Sequence, residues 1–97
     1  MTAAVGICMN ESAVETRHRK SVELKGGRSY KFVCPSVNGM PDRLDLLPIP
    51  TEAHRKIVAQ YIQFTETKAP GKKPRADQDR RHRDLRALGF EVNVVDG

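Results

Sequence analysis

In FTETKAPGKKPR, residues 64–75, a strand-like alternation ends in Glu66, Thr67 and Lys68 and spills into a basic loop punctuated by Gly71, Pro70 and Pro74. Side chains alternate across a strand with a period of two, so Glu66 and Lys68 project from the same face. An exposed ion pair would account for the two charges by itself. A catalytic reading requires a partner carboxylate from elsewhere in the chain.

The surrounding sequence organises around this stretch. YIQFTETK predicts a strand with Ile62, Phe64, Glu66 and Lys68 on one side and Tyr61, Gln63, Thr65 and Thr67 on the other. Downstream, RADQDRRHRDLRALG predicts a long helix whose stripe is Gln78, His82, Leu85 and Leu88 or Ala87, stopped by Gly89. FEVNVVD alternates as a last strand. Upstream, Asn10 or Ser12 can cap a helix through ESAVETRHRKSVELK, with Glu15 placed after Ser12 as in a capping box and Gly26-Gly27 as the stop. SYKFVCP and RLDLLPI predict two more strands around a turn in SVNGMPD, and Pro48 and Pro50 close the second. TEAHRKIVAQ, with Thr51 as N-cap, predicts a short helix before the third strand. The main order, helix, three strands, helix, strand, describes an α/β fold with a mixed central sheet.

With 97 residues, the chain has room for one core, and at that length a domain buries only about two thirds of its unfolded surface. Aromatic residues are 5% of the chain and Trp is absent, so a second subunit would help to complete the core. Residues 1–9 read as a poorly ordered leader ahead of a single domain over 10–97. The net charge of +5, concentrated in KKPR, DRRHRDLR and RHRK, points to a polyanionic partner, with nucleic acid the leading candidate. The basic stretches lack the apolar face of an interfacial helix, and no stretch approaches a transmembrane span. Cys8 and Cys34 show neither metal nor framework spacing and read as free thiols, and MTAAVGICM lacks the basic start of a signal peptide, so the expected compartment is the cytoplasm.

The partner for Glu66 is Asp42, in GMPDRLDLL. If the second and third strands pair as a hairpin-like unit, Asp42 and Glu66 reach the same edge of the sheet, with Lys68 beside them. Mg²⁺ and Mn²⁺ take such oxygen ligands and keep waters that contact a phosphate. A lysine there could orient or help deprotonate the attacking water, or neutralise charge building on phosphorus. Asp42, Glu66 and Lys68 thus supply the parts for phosphodiester hydrolysis.

GGRSYKFV, GMPDRLDLLP, FTETKAPGKKPR, the downstream Gln78 and LRALGFEVNVVD together resemble the successive blocks of the VRR-Nuc (virus-type replication-repair nuclease) family of the PD-(D/E)xK superfamily. The resemblance runs from about residue 11 to 97 and implies a restriction-endonuclease-like fold. It implies Asp42 and Glu66 as metal ligands and Lys68 as the catalytic lysine. Glu15 falls where the family has a helix carboxylate that completes the metal site, with Glu11 a weaker rival. Gln78 matches a glutamine near the metal and the scissile phosphate. Small stand-alone members are typical of phages and resemble homodimeric Holliday-junction resolvases that cut branched DNA. PIPTEAHRKIVAQY is longer than the tight turn many members have between the motif strands, and Asp45 is an additional acid that reads as solvated or ion-paired.

Lys72, Lys73 and Arg75 follow the catalytic strand, where they could grip DNA phosphates, and Arg80, Arg81, Arg83 and Arg86 divide between DNA contact and pairing with Asp77, Asp79 and Asp84. His18, His54 and His82 lie on separate elements without ligand spacing and read as ordinary surface or partly buried histidines. The expectation is a metal-dependent homodimeric endonuclease for branched DNA. Its rivals are a nuclease for flaps or single-strand/duplex boundaries and a non-catalytic basic DNA-binding protein.

Overall fold

The computed structural model describes residues 10–96, so the leader read over residues 1–9 lies outside them. The chain divides after Leu47 into two compact units. The first contains α1 (Glu11–Leu24), β1 (Arg28–Lys31) and β2 (Arg43–Leu46). The second contains α2 (Glu52–Ala59), β3 (Gln63–Thr67), α3 (Ala76–Leu88) and β4 (Glu91–Val95).

In the first unit Asn10 is the N-cap of α1, its side-chain oxygen accepting from the Ala13 amide at 2.8 Å. Glu15 is therefore not half of a capping box, and its carboxylate is left for tertiary contacts. The helix ends in a reciprocal pair of backbone bonds, Gly26 N–H to Glu23 O at 2.9 Å and Gly27 N–H to Val22 O at 3.1 Å, which satisfies carbonyls the last turn would otherwise leave open. Gly27 then passes so close to β2 that a Cβ there would collide with the Leu46 carbonyl oxygen and stand 3.1 Å from Val22 Cγ1. The turn between the strands lets β1 and β2 pair antiparallel, with Ser29 opposite Asp45 and Tyr30 opposite Leu44. Among the described residues of this unit, Val22 and Leu46 are the buried apolar side chains.

The second unit is built on a crossover. β3 leads through the basic loop into α3, and β4 returns parallel to β3, with Phe64 opposite Val92 and Glu66 opposite Val94. Parallel neighbours need a crossover of this kind, because a tight turn can only reverse the chain. Gly89, in the left-handed region at φ 103°, ends α3, and the Phe90 N–H bonds back to Leu85 O at 3.1 Å. That reversal sets Phe90 edge-on to Phe64, ring centroids 5.9 Å apart. Leu85 and Val92 are buried in this unit. Thr51 caps α2 as its position predicts, accepting from the His54 amide at 3.1 Å.

The element types agree with the sequence reading, but the expected single mixed sheet is replaced by two two-stranded sheets, β1-β2 and β3-β4. Among the described residues the second strand pairs with the first and the third with the last, each within its own unit, in place of the hairpin-like pairing expected for the second and third. Pro48 and Pro50 withhold backbone donors just past β2, and α2 occupies the chain that a hairpin would use for its turn. The apolar content is spread thinly. Leu24 is 89% and Tyr61 79% exposed.

Gly27→Ala tests the close approach in the first unit. The added methyl meets backbone rather than a yielding side chain, so the variant is expected to lose about 1–3 kcal/mol, read from its urea midpoint. An unchanged midpoint would contradict the packing of Gly27 against β2.

Candidate active site

The second unit gathers three side chains around the Glu66 carboxylate. β3 alternates between exposed and half-buried positions, and the half-buried positions are Phe64 and Glu66, with Lys68 continuing the row just past the strand. The Lys68 amide bonds to Val95 O at 2.8 Å, which keeps the chain extended there and Lys68 on the Glu66 side. Lys68 Nζ lies 3.9 Å from Glu66 Oε2, and the two side chains are 14% and 27% exposed.

α3 supplies the other contacts. Gln78, in its first turn, accepts the Arg75 backbone N–H on Oε1 at 2.9 Å. That bond commits the amide oxygen to the helix end and leaves the NH₂ group to donate to Glu66 Oε2, at 3.0 Å. One turn along the same face, His82 Nε2 stands 3.5 Å from Glu66 Oε1 with its ring 8% exposed. The i, i+4 spacing of Gln78 and His82 presents both from one helix face to one carboxylate. The sequence reading placed Gln78 here only through resemblance and set His82 aside. The missed signal was already in the helix stripe, where a polar His82 stands on the line from Gln78 to the buried Leu85.

The cations expected on the DNA-facing surface divide. Lys72, Lys73, Arg80 and Arg83 are exposed. Arg75 and Asp77 form an exposed pair at 3.2 Å, and the Arg75 hydrogen bond holds the Asp77 carboxyl below the usual carboxylate range. Arg81 pairs with Asp84 at 3.2 Å. Arg86 turns inward to donate to Val92 O at 3.0 Å, so it ties α3 to β4.

In the first unit Asp42 is exposed just before β2, and its backbone oxygen accepts from the Phe32 amide at 2.7 Å. Glu15 on α1 faces Arg43, Oε1 to Nη1 at 3.8 Å. Arg43 donates to Ser29 through Nε, to Oγ at 3.3 Å, and through Nη2, to the carbonyl oxygen at 2.8 Å. The buried Ser29 hydroxyl donates in turn to Asp45 Oδ1 at 2.7 Å, and Asp45 Oδ2 meets His18 Nε2 at 2.7 Å. Asp45 is therefore the hub of a polar chain that ties α1 to both strands. Serine, aspartate and histidine stand here in the wrong order for a hydrolase: a nucleophilic serine needs the imidazole between itself and the acid. The Ser29 hydroxyl, followed by His18, holds the Asp45 carboxyl below its usual range against the opposing effect of burial.

Among the described residues no group of three or more His, Cys, Asp and Glu side chains comes together as a ready-made cage for a metal. A magnesium-type ion asks for less, one or two carboxylates with water and phosphate supplying the rest. Glu66, oriented and still partly open to solvent, fits that demand as one oxygen donor. No helix among the described residues is long and apolar enough to cross a membrane. Cys34 is a half-buried free thiol.

Fold and site together define a small mixed α/β protein that presents a strand carboxylate contacted by two side chains of one helix, with a lysine beside it. The chain is 42% identical over 88 residues to "Putative nuclease p44" of Acyrthosiphon pisum secondary endosymbiont phage 1, a match that spans 91% of this chain and 84% of that protein. It belongs to the same family as that phage protein. No family model matches the chain, and no solved structure matches it.

Asp45 provides a pH test of the first unit. A carboxyl whose folded pKa is depressed stabilises the fold above its unfolded pKa of about 3.9, and that contribution disappears as pH falls through the folded value. The side chain is 35% exposed, so solvent screening limits the expected cost of Asp45→Asn to about 1 kcal/mol at pH 7. The stability difference between the two proteins should start to narrow as pH falls below about 4 and vanish only below the depressed folded value. A difference independent of pH would mean that the charge contributes nothing.

Proposed function

We propose that this protein is a divalent-metal-dependent DNA endonuclease of the VRR-Nuc type, with the PD-(D/E)xK fold, acting as a homodimer on Holliday junctions or related branched DNA. The observation that carries the reading is the Glu66 carboxylate set between Lys68 and Gln78 beside a basic loop. The kinship with a phage protein named as a nuclease supports the same chemistry. Glu66 and Asp42, with Glu15, are the oxygen donors that the resemblance assigns to Mg²⁺ or Mn²⁺. When bound, such an ion contributes Lewis acidity toward water and phosphate oxygen.

The remaining steps fall to the chain's own side chains. Gln78 keeps one Glu66 oxygen oriented by spending its amide oxygen on the Arg75 N–H and its NH₂ on the carboxylate. Lys68, largely shielded from water, directs its ammonium donors toward the charge that develops on the phosphate, where a low-dielectric setting strengthens them. Lys72, Lys73, Arg75, Arg80 and Arg81 grip the DNA backbone, which positions the duplex without reading its sequence. Base-specific recognition is not expected, since nothing in the sequence resembles a recognition helix or zinc module. Paired sites in a two-fold dimer suit a symmetric four-way junction.

Cleavage of labelled four-way junction, flap, nicked and linear duplex with Mg²⁺ or Mn²⁺ tests the reading. Lys68→Ala is expected to slow cutting by about 10²-fold or more while junction binding persists. Undiminished cutting by Glu66→Ala or Asp42→Asn rejects this site, and cutting confined to flaps replaces the branched substrate. Binding without any cutting leaves a DNA-binding protein. The basic loop has its own readout: the double variant Lys72→Ala/Lys73→Ala should flatten the log-log salt dependence of DNA binding by about 2. An unchanged slope removes both lysines from the interface.

A further inference from the structure

A carboxylate group turns readily about its terminal bond, because that torsion has broad wells. A single contact to one oxygen therefore leaves the second free to swing. In the second unit both Glu66 oxygens face groups from α3, Oε2 the Gln78 amide at 3.0 Å and Oε1 the His82 imidazole at 3.5 Å. Lys68 adds its ammonium on the Oε2 side at 3.9 Å.

His82 is costly where it stands. Its ring is buried on the helix face that runs from Gln78 to the buried Leu85, a position an apolar side chain could fill without desolvating ring nitrogens. The polar partner that the structure gives the ring is Glu66. Gln78 is fixed separately, through the Arg75 amide at the helix end. The two contacts on the carboxylate therefore come from independent anchors, one at the start of α3 and one in its interior.

We infer that His82 is a positioning residue which, with Gln78, locks the plane of the Glu66 carboxylate in the orientation that receives a hard divalent cation. This deepens the proposed function and rests on it. His82 acts through Glu66 and need not touch the DNA. A histidine filling the core for packing alone would affect stability and leave cation affinity unchanged.

The test compares His82→Leu, which fills the space without a donor, with His82→Gln, which keeps an N–H. His82→Met serves as a second donor-free variant if the leucine protein fails to fold. Mn²⁺ affinity is read by calorimetry on the DNA-free protein, alongside thermal stability and single-turnover cleavage of a four-way junction. The expected result is a 10- to 100-fold weaker Mn²⁺ affinity, roughly the cost of losing a group that orients a ligand, in a donor-free variant that still folds, with most of the affinity restored by His82→Gln. Wild-type Mn²⁺ affinity and cleavage in a folded donor-free variant would overturn the role of His82 and leave the nuclease reading standing. So would a change confined to thermal stability. Failure of the unaltered protein to bind Mn²⁺ or cut any of the DNA substrates would overturn the nuclease reading, and this inference with it.

Discussion

A carboxylate drawn partly out of water has to be met by donors, and in this protein that requirement falls on Glu66. Gln78 donates to one of its oxygens and His82 stands 3.5 Å from the other, both from one face of α3, and α3 is also the crossover that makes β3 and β4 parallel neighbours. The same helix therefore builds the sheet and holds the charged group that the sheet displays. Arg86 bonds the helix to the Val92 carbonyl, while Leu85 and the Phe64–Phe90 edge contact provide apolar burial beneath it. A shift of α3 along the sheet would break the packing and the carboxylate contacts together.

The first unit solves a similar problem with different chemistry. Among its described residues the buried apolar side chains are Val22 and Leu46, and a polar chain from Glu15 through Arg43, Ser29 and Asp45 to His18 adds to what joins α1 to the strands. Beyond the Glu15–Arg43 ion pair at 3.8 Å, each link is a hydrogen bond that is charge-assisted or involves a buried hydroxyl, the kind that is hardest to leave unmade. Asp45, which looks like a spare acid in the sequence, is the group that this chain converges on. Arg43 in turn occupies the neighbourhood of Glu15, so the charge on that helix carboxylate is partly balanced within its own unit.

Features governed by a local rule are legible in the chain. The alternation in residues 62–68 places Glu66 and Lys68 on one face without knowledge of any neighbour, and the half-buried row agrees. Thr51 and Gly89 mark helix ends through backbone chemistry that operates within a few residues. Asn10 and Ser12 were both acceptable caps, and only the folded backbone distinguishes them. His82 was lost for another reason. Judged for metal-ligand spacing against the other histidines it looks ordinary, and its meaning comes from a strand well before it in the chain.

The identity and facing of the elements, together with the spacing that puts Glu66 beside Lys68 and Gln78 one turn before His82, are legible in the chain alone. These follow from periods of 2 and 3.6 residues, which are properties of single segments. Which strands pair, among the described residues one antiparallel and one parallel set of two, and which acids meet which donors emerge only in the folded protein. Strand pairing and the satisfaction of buried charge are contests among distant segments for the same hydrogen bonds, and no segment carries the outcome alone.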